Sequence, residues 1–113
     1  MDLGVEIIQD VKVVRVGLES LDAGNAREFR AAMEPHLAGA TRVVADLSVV
    51  QFMDSAGLGA LLSVLRQVSA NGGDFRLAEP SRAVRSLLQL VRMHRIFSIH
   101  NTRDEAIASF AEG

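Results

Sequence analysis

The sequence predicts a single α/β domain, residues 1–113, built on a mixed, mainly parallel sheet. Two observations carry that expectation. Runs rich in β-branched residues alternate along the chain with stretches of helical periodicity, the pattern of right-handed parallel crossovers. At the start of the chain, two strand-like runs follow one another across a tight turn, which adds an antiparallel hairpin to the sheet.

The elements follow in order. "VEIIQ" and "KVVRVGL" are strands that meet at Gln9-Asp10. Ala26, Phe29, Met33 and Leu37 recur at helical spacing, and Pro35 is expected to kink or shorten that helix near its end. "TRVVADL" has a continuous apolar centre, as a strand covered on both faces does. Leu58, Leu61, Leu62, Leu65 and Val68 form an apolar helical stripe that Asn71-Gly72-Gly73 stops. In "DFRLA", Phe75 and Leu77 point inward and Arg76 outward. Val84, Leu87, Leu88 and Val91 repeat the helical pattern, and "RIFSI" over residues 95–99 is a short last strand. "TRDE" is a capping box that opens a final helix through Ala106, Ile107 and Phe110. The order is ββαβαβαβα, with four helices.

Composition narrows the function. A net charge of −2, with no Trp and no Tyr, supplies neither the basic excess nor the stacking rings of a nucleic-acid surface. The absence of Cys removes disulfides, thiolate catalysis and cysteine metal sites, and it fits a cytoplasmic protein. No apolar run approaches the length of a membrane span, and "MDLGVEIIQD" lacks the features of a signal peptide. The expected partners therefore include neither nucleic acid nor membrane, and no cofactor motif is found. The oligomeric state stays open.

One stretch stands out. In "FMDSAGLGALL", Ser55 lies between an acid and a pair of glycines at a strand-to-helix junction, where sites gather in open sheets. A hydrolase elbow needs a glycine where Met53 stands, and a histidine base. None of His36, His94 and His100 is placed beside the serine by the sequence. Gly57-Leu58-Gly59 is a lone Gly-x-Gly, so weak nucleotide binding at the helix start stays open without being specified. Asp46 and Asp54 lack the further ligands of a metal site. The structural alternative is that Asp54 or Ser55 caps the helix while the glycines allow close packing.

Taken with the element order, "FMDSAGLG" resembles the hallmark of the anti-sigma factor antagonist family, the STAS domain: a strand followed by Asp-Ser-small-Gly-Leu-Gly at a helix start. The resemblance covers nearly the whole chain. "GLESLDAGNAREF" is similar to the family's Leu-Asp segment, with Asp22 on the acidic position and Asn25 where threonine is common. "VVADLSVVQFMDS" and "NGGDFRLAEPSRAVRSLL" are similar to its central strand and to its Gly-Gly turn, next strand and third helix. The resemblance implies a non-enzymatic switch in which Ser55 is phosphorylated by an anti-sigma factor that is itself a serine kinase. The unphosphorylated form would bind that kinase and release a sigma factor, and a serine phosphatase would reset the phosphorylated form. It also implies a partner surface drawn from Asp22, Asn25, Asp54, Ala56, Gly57 and Leu58. The alternative within the same family is an interaction subunit of a signalling scaffold or lipid-transport assembly that is never phosphorylated.

The chain departs from the family pattern in three places. Ala56 stands where serine or threonine is common, which leaves Ser55 as the only hydroxyl in the turn. The approach Gly17-Leu18-Glu19-Ser20 is longer than the usual lead into the Leu-Asp segment. Arg92 stands near the point where a helix-ending glycine usually falls, and a side chain in a left-handed backbone costs about 1 kcal/mol there.

Overall fold

The computed structural model describes residues 1–111 and places β4, Arg42–Asp46, at the centre of a five-stranded sheet. Its Val43, Val44, Ala45 and Asp46 are all buried, so both faces of the sheet must be covered. The flanking strands are β2 (Val11–Val16) and β6 (Asp74–Ala78), both parallel to β4. Outside them lie β1 (Leu3–Ile8), antiparallel to β2, and β7 (Ser98–His100), parallel to β6. The order β1-β2-β4-β6-β7 is the mixed sheet expected from the sequence. The hairpin turns where Gln9 and Asp10 take φ values of 53° and 64°, the two left-handed residues of a two-residue turn that matches strand twist.

The two faces are covered unequally. On one, Val14, Val16, Val43, Ala45, Phe75 and Leu77 pack against three helices: α1 (Ala26–Leu37), α2 (Ser55–Ala70) and α3 (Arg82–Leu90). On the other, Val11, Val13, Val44 and Ala78 meet α4 (Arg103–Ser109) through Ala106 and Ile107, with Ile8 and Phe110 packed at the margin. Arg76 points to this second face, where its guanidinium lies 4.0 Å from the centroid of the Phe110 ring. Among the described residues no helix is long and apolar enough to cross a membrane.

Four local expectations change. The helix α1 runs two residues past Pro35 to Leu37, which is buried; a proline in the last turn sacrifices a single backbone bond while packing holds the end. The last strand begins at Ser98, because Met93–Arg95 forms a 3-10 turn that carries Phe97 inward against Phe75. Val91 is 40 % exposed and does not complete the stripe of α3, where Val84 and Leu88 are the buried residues. Two further strands were too short to show a period: β3 (Ser20–Leu21) and β5 (Phe52–Met53), which pair in parallel as a small separate sheet. Where "TRDE" promised a cap, the Thr102 hydroxyl accepts from the Glu105 N–H at 3.0 Å.

The charge at the end of β4 fixes α4. Asp46 is 4 % exposed; its Oδ2 accepts from Arg103 Nη2 at 2.9 Å and Nε at 3.2 Å, and its Oδ1 from the Ser48 N–H at 2.9 Å. Burial pushes the carboxyl up, but the Ser48 hydrogen bonds and the Arg103 guanidinium together bring it below the ordinary carboxylate value. Arg103 also pairs with Glu6, and its backbone N–H donates to Glu79 at 2.9 Å. One arginine therefore ties α4 to β1, β4 and the end of β6.

Two outcomes follow from this geometry. Arg103→Ala leaves the Asp46 carboxylate buried and should cost about 1–3 kcal/mol at neutral pH. Because the folded Asp46 value is lowered, the contribution of the pair is complete above the ordinary 3.8 and fades as the pH falls through the lower folded value. Urea unfolding of the two proteins should show their gap closing in acid. Arg92 does adopt the left-handed conformation, with φ 61° and ψ 27°, so Arg92→Gly should raise the urea midpoint by the equivalent of about 1 kcal/mol.

Candidate functional site

The site is assembled where the small β3–β5 sheet meets the start of α2. After β4, Val50 closes a turn onto the Leu47 carbonyl at 3.0 Å, and the Gln51 and Phe52 N–H groups donate to the Glu19 carbonyl at 2.7 and 3.1 Å. This lead-in sets Phe52 beside Ser20 and Met53 beside Leu21. Strand alternation then buries Met53 and leaves Phe52 57 % exposed.

Asp54 caps α2. Its Oδ1 accepts from the Gly57 N–H at 2.9 Å, and its Oδ2 reaches across to the Ala23 N–H at 3.1 Å. The hydrogen bond from Gly57, followed by those from Ala23 and Ala56, holds this carboxyl below the usual carboxylate range against a smaller effect of burial. The carboxylate is therefore an anion at neutral pH, and it already occupies amides that a bound phosphate would use. Ser55 follows as the first residue of α2; it is exposed, and among the described residues its Oγ has no hydrogen-bond partner.

The preceding loop is locked by its own side chains. The Asp22 N–H donates to Asn25 Oδ1 at 3.0 Å, and Asn25 Nδ2 donates to the Ser20 carbonyl at 2.7 Å. The Asp22 carboxylate accepts from the Gly24 N–H at 2.9 Å and from the Ser20 hydroxyl. Asn25 thus stands at the N-cap of α1 without capping it, and spends its amide on the loop.

Of the residues singled out by the sequence, the structure brings Asp22, Asn25, Asp54, Ser55 and Ala56 to one region through the Ala23–Asp54 bond. Gly57 and Leu58 turn inward. Gly57 is buried so close to β3 that a Cβ there would stand 2.0 Å from the Leu21 carbonyl oxygen, and Leu58, at 8 % exposure, belongs to the core. The histidines lie elsewhere: His36 in the last turn of α1, His94 in the 3-10 turn, and His100 in β7, where Nε2 is 2.8 Å from the Ser98 hydroxyl. Among the described residues no cluster of three or more His, Asp or Glu could hold a metal ion. Sequence reasoning missed Phe52, whose only signal was its place one residue before an inward-facing Met53. It also missed the Ala23 amide, which no side-chain pattern reports.

The two glycines of the turn should respond in opposite directions to the same change. Gly57→Ala forces α2 off β3 and should cost about 1–3 kcal/mol. Gly59→Ala meets nothing within 4 Å in the helix and should gain about 0.5–1 kcal/mol, both read from urea midpoints.

Comparison with known proteins agrees with this geometry. The family model for the STAS domain matches residues 2–106. The chain is 31% identical over 104 residues to a Thermotoga maritima protein provisionally named an anti-sigma factor antagonist, covering 90% of this chain and 91% of that one. An anti-sigma factor antagonist from Mycobacterium paratuberculosis superposes with a TM-score of 0.84 at 27% identity, covering 96% of this chain and 92% of that one. The Bacillus cell fate determinant SpoIIAA, solved in its phosphorylated form, superposes with a TM-score of 0.70 at 26% identity, covering 96% of this chain and 99% of that one. The chain belongs to the STAS domain family.

Proposed function

We propose that this domain is an anti-sigma factor antagonist, a non-enzymatic switch whose binding to an anti-sigma factor with serine kinase activity is controlled at Ser55. The observation that carries this reading is the state of the serine. It is exposed, unengaged and alone as a hydroxyl in a turn otherwise fixed by hydrogen bonds. That a similar chain is known in a phosphorylated form supports the same role for Ser55.

The chemistry of the turn suits a reversible charge. A phosphate adds about −1.5 to −2 charge at neutral pH. At the first residue of a sixteen-residue helix that charge meets the positive end of the dipole, so the fold tolerates it. The Asp54 carboxylate beside it is already ionised, so modification makes one small surface strongly anionic. Unmodified, the same region offers the exposed Phe52, paired beside Ser20, as an apolar contact. Phosphorylation therefore acts on the partner by repulsion and bulk, leaving the domain folded. A serine phosphatase would restore the binding form.

The direct test is incubation with the cognate anti-sigma factor kinase and ATP, followed by intact-mass measurement. Wild type should gain one phosphate and Ser55→Ala none, and Ser55→Asp should bind the kinase more weakly than wild type. Unlabelled wild type, or equal labelling of Ser55→Ala, refutes the reading. A Ser55→Asp variant that binds as tightly as wild type favours a STAS interaction subunit without phosphorylation.

A further inference from the structure

We propose that β1 is a self-pairing edge, through which two copies of the chain join their five-stranded sheets across a two-fold axis. The strand is the outermost of the sheet and, among the described residues, is bonded only to β2. Its residues are exposed on both faces over most of its length, with Ile7 62 % and Val5 37 % accessible. Protein edges are usually blunted by lysine, proline, a bulge or shortness. The six residues of β1, LGVEII, hold no lysine or proline and keep an unbroken register with β2. The opposite edge, β7, is only three residues long.

The direction of the free backbone groups follows from the hairpin. Ile8 and Val11 flank the two-residue turn and form its closing hydrogen-bonded pair, so Ile8, Glu6 and Gly4 aim their N–H and C=O at β2. The Gly17 N–H donating to the Asp2 carbonyl at 2.9 Å continues the same parity. Leu3, Val5 and Ile7 therefore aim theirs outward. The Leu3 N–H is taken by the Met1 carbonyl at 3.1 Å, which leaves the Leu3 carbonyl and both groups of Val5 and Ile7 for a partner strand.

A second copy of β1 fits that row in one register better than any other. Outward groups belong to odd residues, so in an antiparallel pair odd must face odd, and centring on Val5 uses the whole strand. Val5 then faces its own copy, Leu3 faces Ile7, and apolar meets apolar on the face that carries the main core. On the other face Glu6, the only charged residue of β1, stands opposite Gly4, and each Glu6 is already paired with its own Arg103. Centring on Glu6 would oppose two carboxylates and pair only Val5 with Ile7, leaving Leu3 opposite the turn residue Gln9. Both β1 edges are consumed, and the edges left at the two ends of the joined sheet are the three-residue β7 strands, so the assembly closes at two.

The chain has no cysteine, which allows a register-specific test on the whole chain. Val5→Cys should form a disulfide-linked dimer under mild oxidation, because opposed residues of such a pair lie within bridging distance. Gly4→Cys should not, because position 4 faces Glu6 of the other copy. Sedimentation of wild type should show a monomer–dimer equilibrium without larger species. Val5→Pro removes an outward N–H, spares the β1–β2 ladder, and should weaken the dimer about tenfold or more. If Val5→Pro melts early, Ile7→Lys serves in its place and should weaken the dimer likewise. A monomer at every concentration up to millimolar, open-ended oligomers, or equal crosslinking of the Gly4→Cys and Val5→Cys variants would overturn the proposal.

Discussion

The burial of β4 on both faces is the constraint from which the rest of the fold follows. A strand with no solvent face must be apolar on both sides, and it must be sandwiched between helices. The one charged residue in its buried stretch, Asp46, cannot stay buried without a partner. Arg103 supplies that partner, and in doing so it sets where the lone helix of the thinner face begins. The strand that organises the core thus also dictates, through a single carboxylate, how its less protected side is closed.

The same strand delivers the functional turn. Its exit loop is captured by the Glu19 carbonyl, the chain is drawn into a two-residue pairing with β3, and α2 starts at once. Asp54 then performs two tasks with two oxygens, capping the helix and binding the loop that holds Asp22. The serine next to it is left free while the acids and amides around it are engaged with one another. Rigidity around an unengaged hydroxyl is what separates this turn from an ordinary capped helix start.

Much of this was legible in the sequence, for identifiable reasons. The helices and long strands announced themselves because burial repeats with the period of the element, as Leu58, Leu61 and Val68 do in α2 and Phe75 and Leu77 in β6. The Asp-Ser-Ala-Gly-Leu-Gly turn was legible as a family pattern, in which a capping acid stands three residues before a glycine that packs on the Leu21 carbonyl. The site's second half was harder to read. β3 and β5 are two residues each and carry no period, and the Ala23–Asp54 bond joins segments distant in the chain through an amide that every residue but proline possesses. Leu58 was ambiguous because a residue one turn into a helix can face either way, and only the position of β3 decides it. The family's helix-ending glycine singled out Arg92, and the structure shows this side chain carried in the left-handed backbone that glycine would take.

The contact of Gly57 with the Leu21 carbonyl has a consequence for recognition. The loop carrying Ser55 owes its shape to a strand far upstream, so the eight residues around the serine do not contain the information that holds it in place. An enzyme acting on Ser55 meets a relief map made of two chain segments. A short peptide of the same sequence would have to be ordered first, at an entropic cost the domain has already met. Modification at this position would then discriminate between folded and unfolded copies of the chain, and would count only the molecules able to bind a partner.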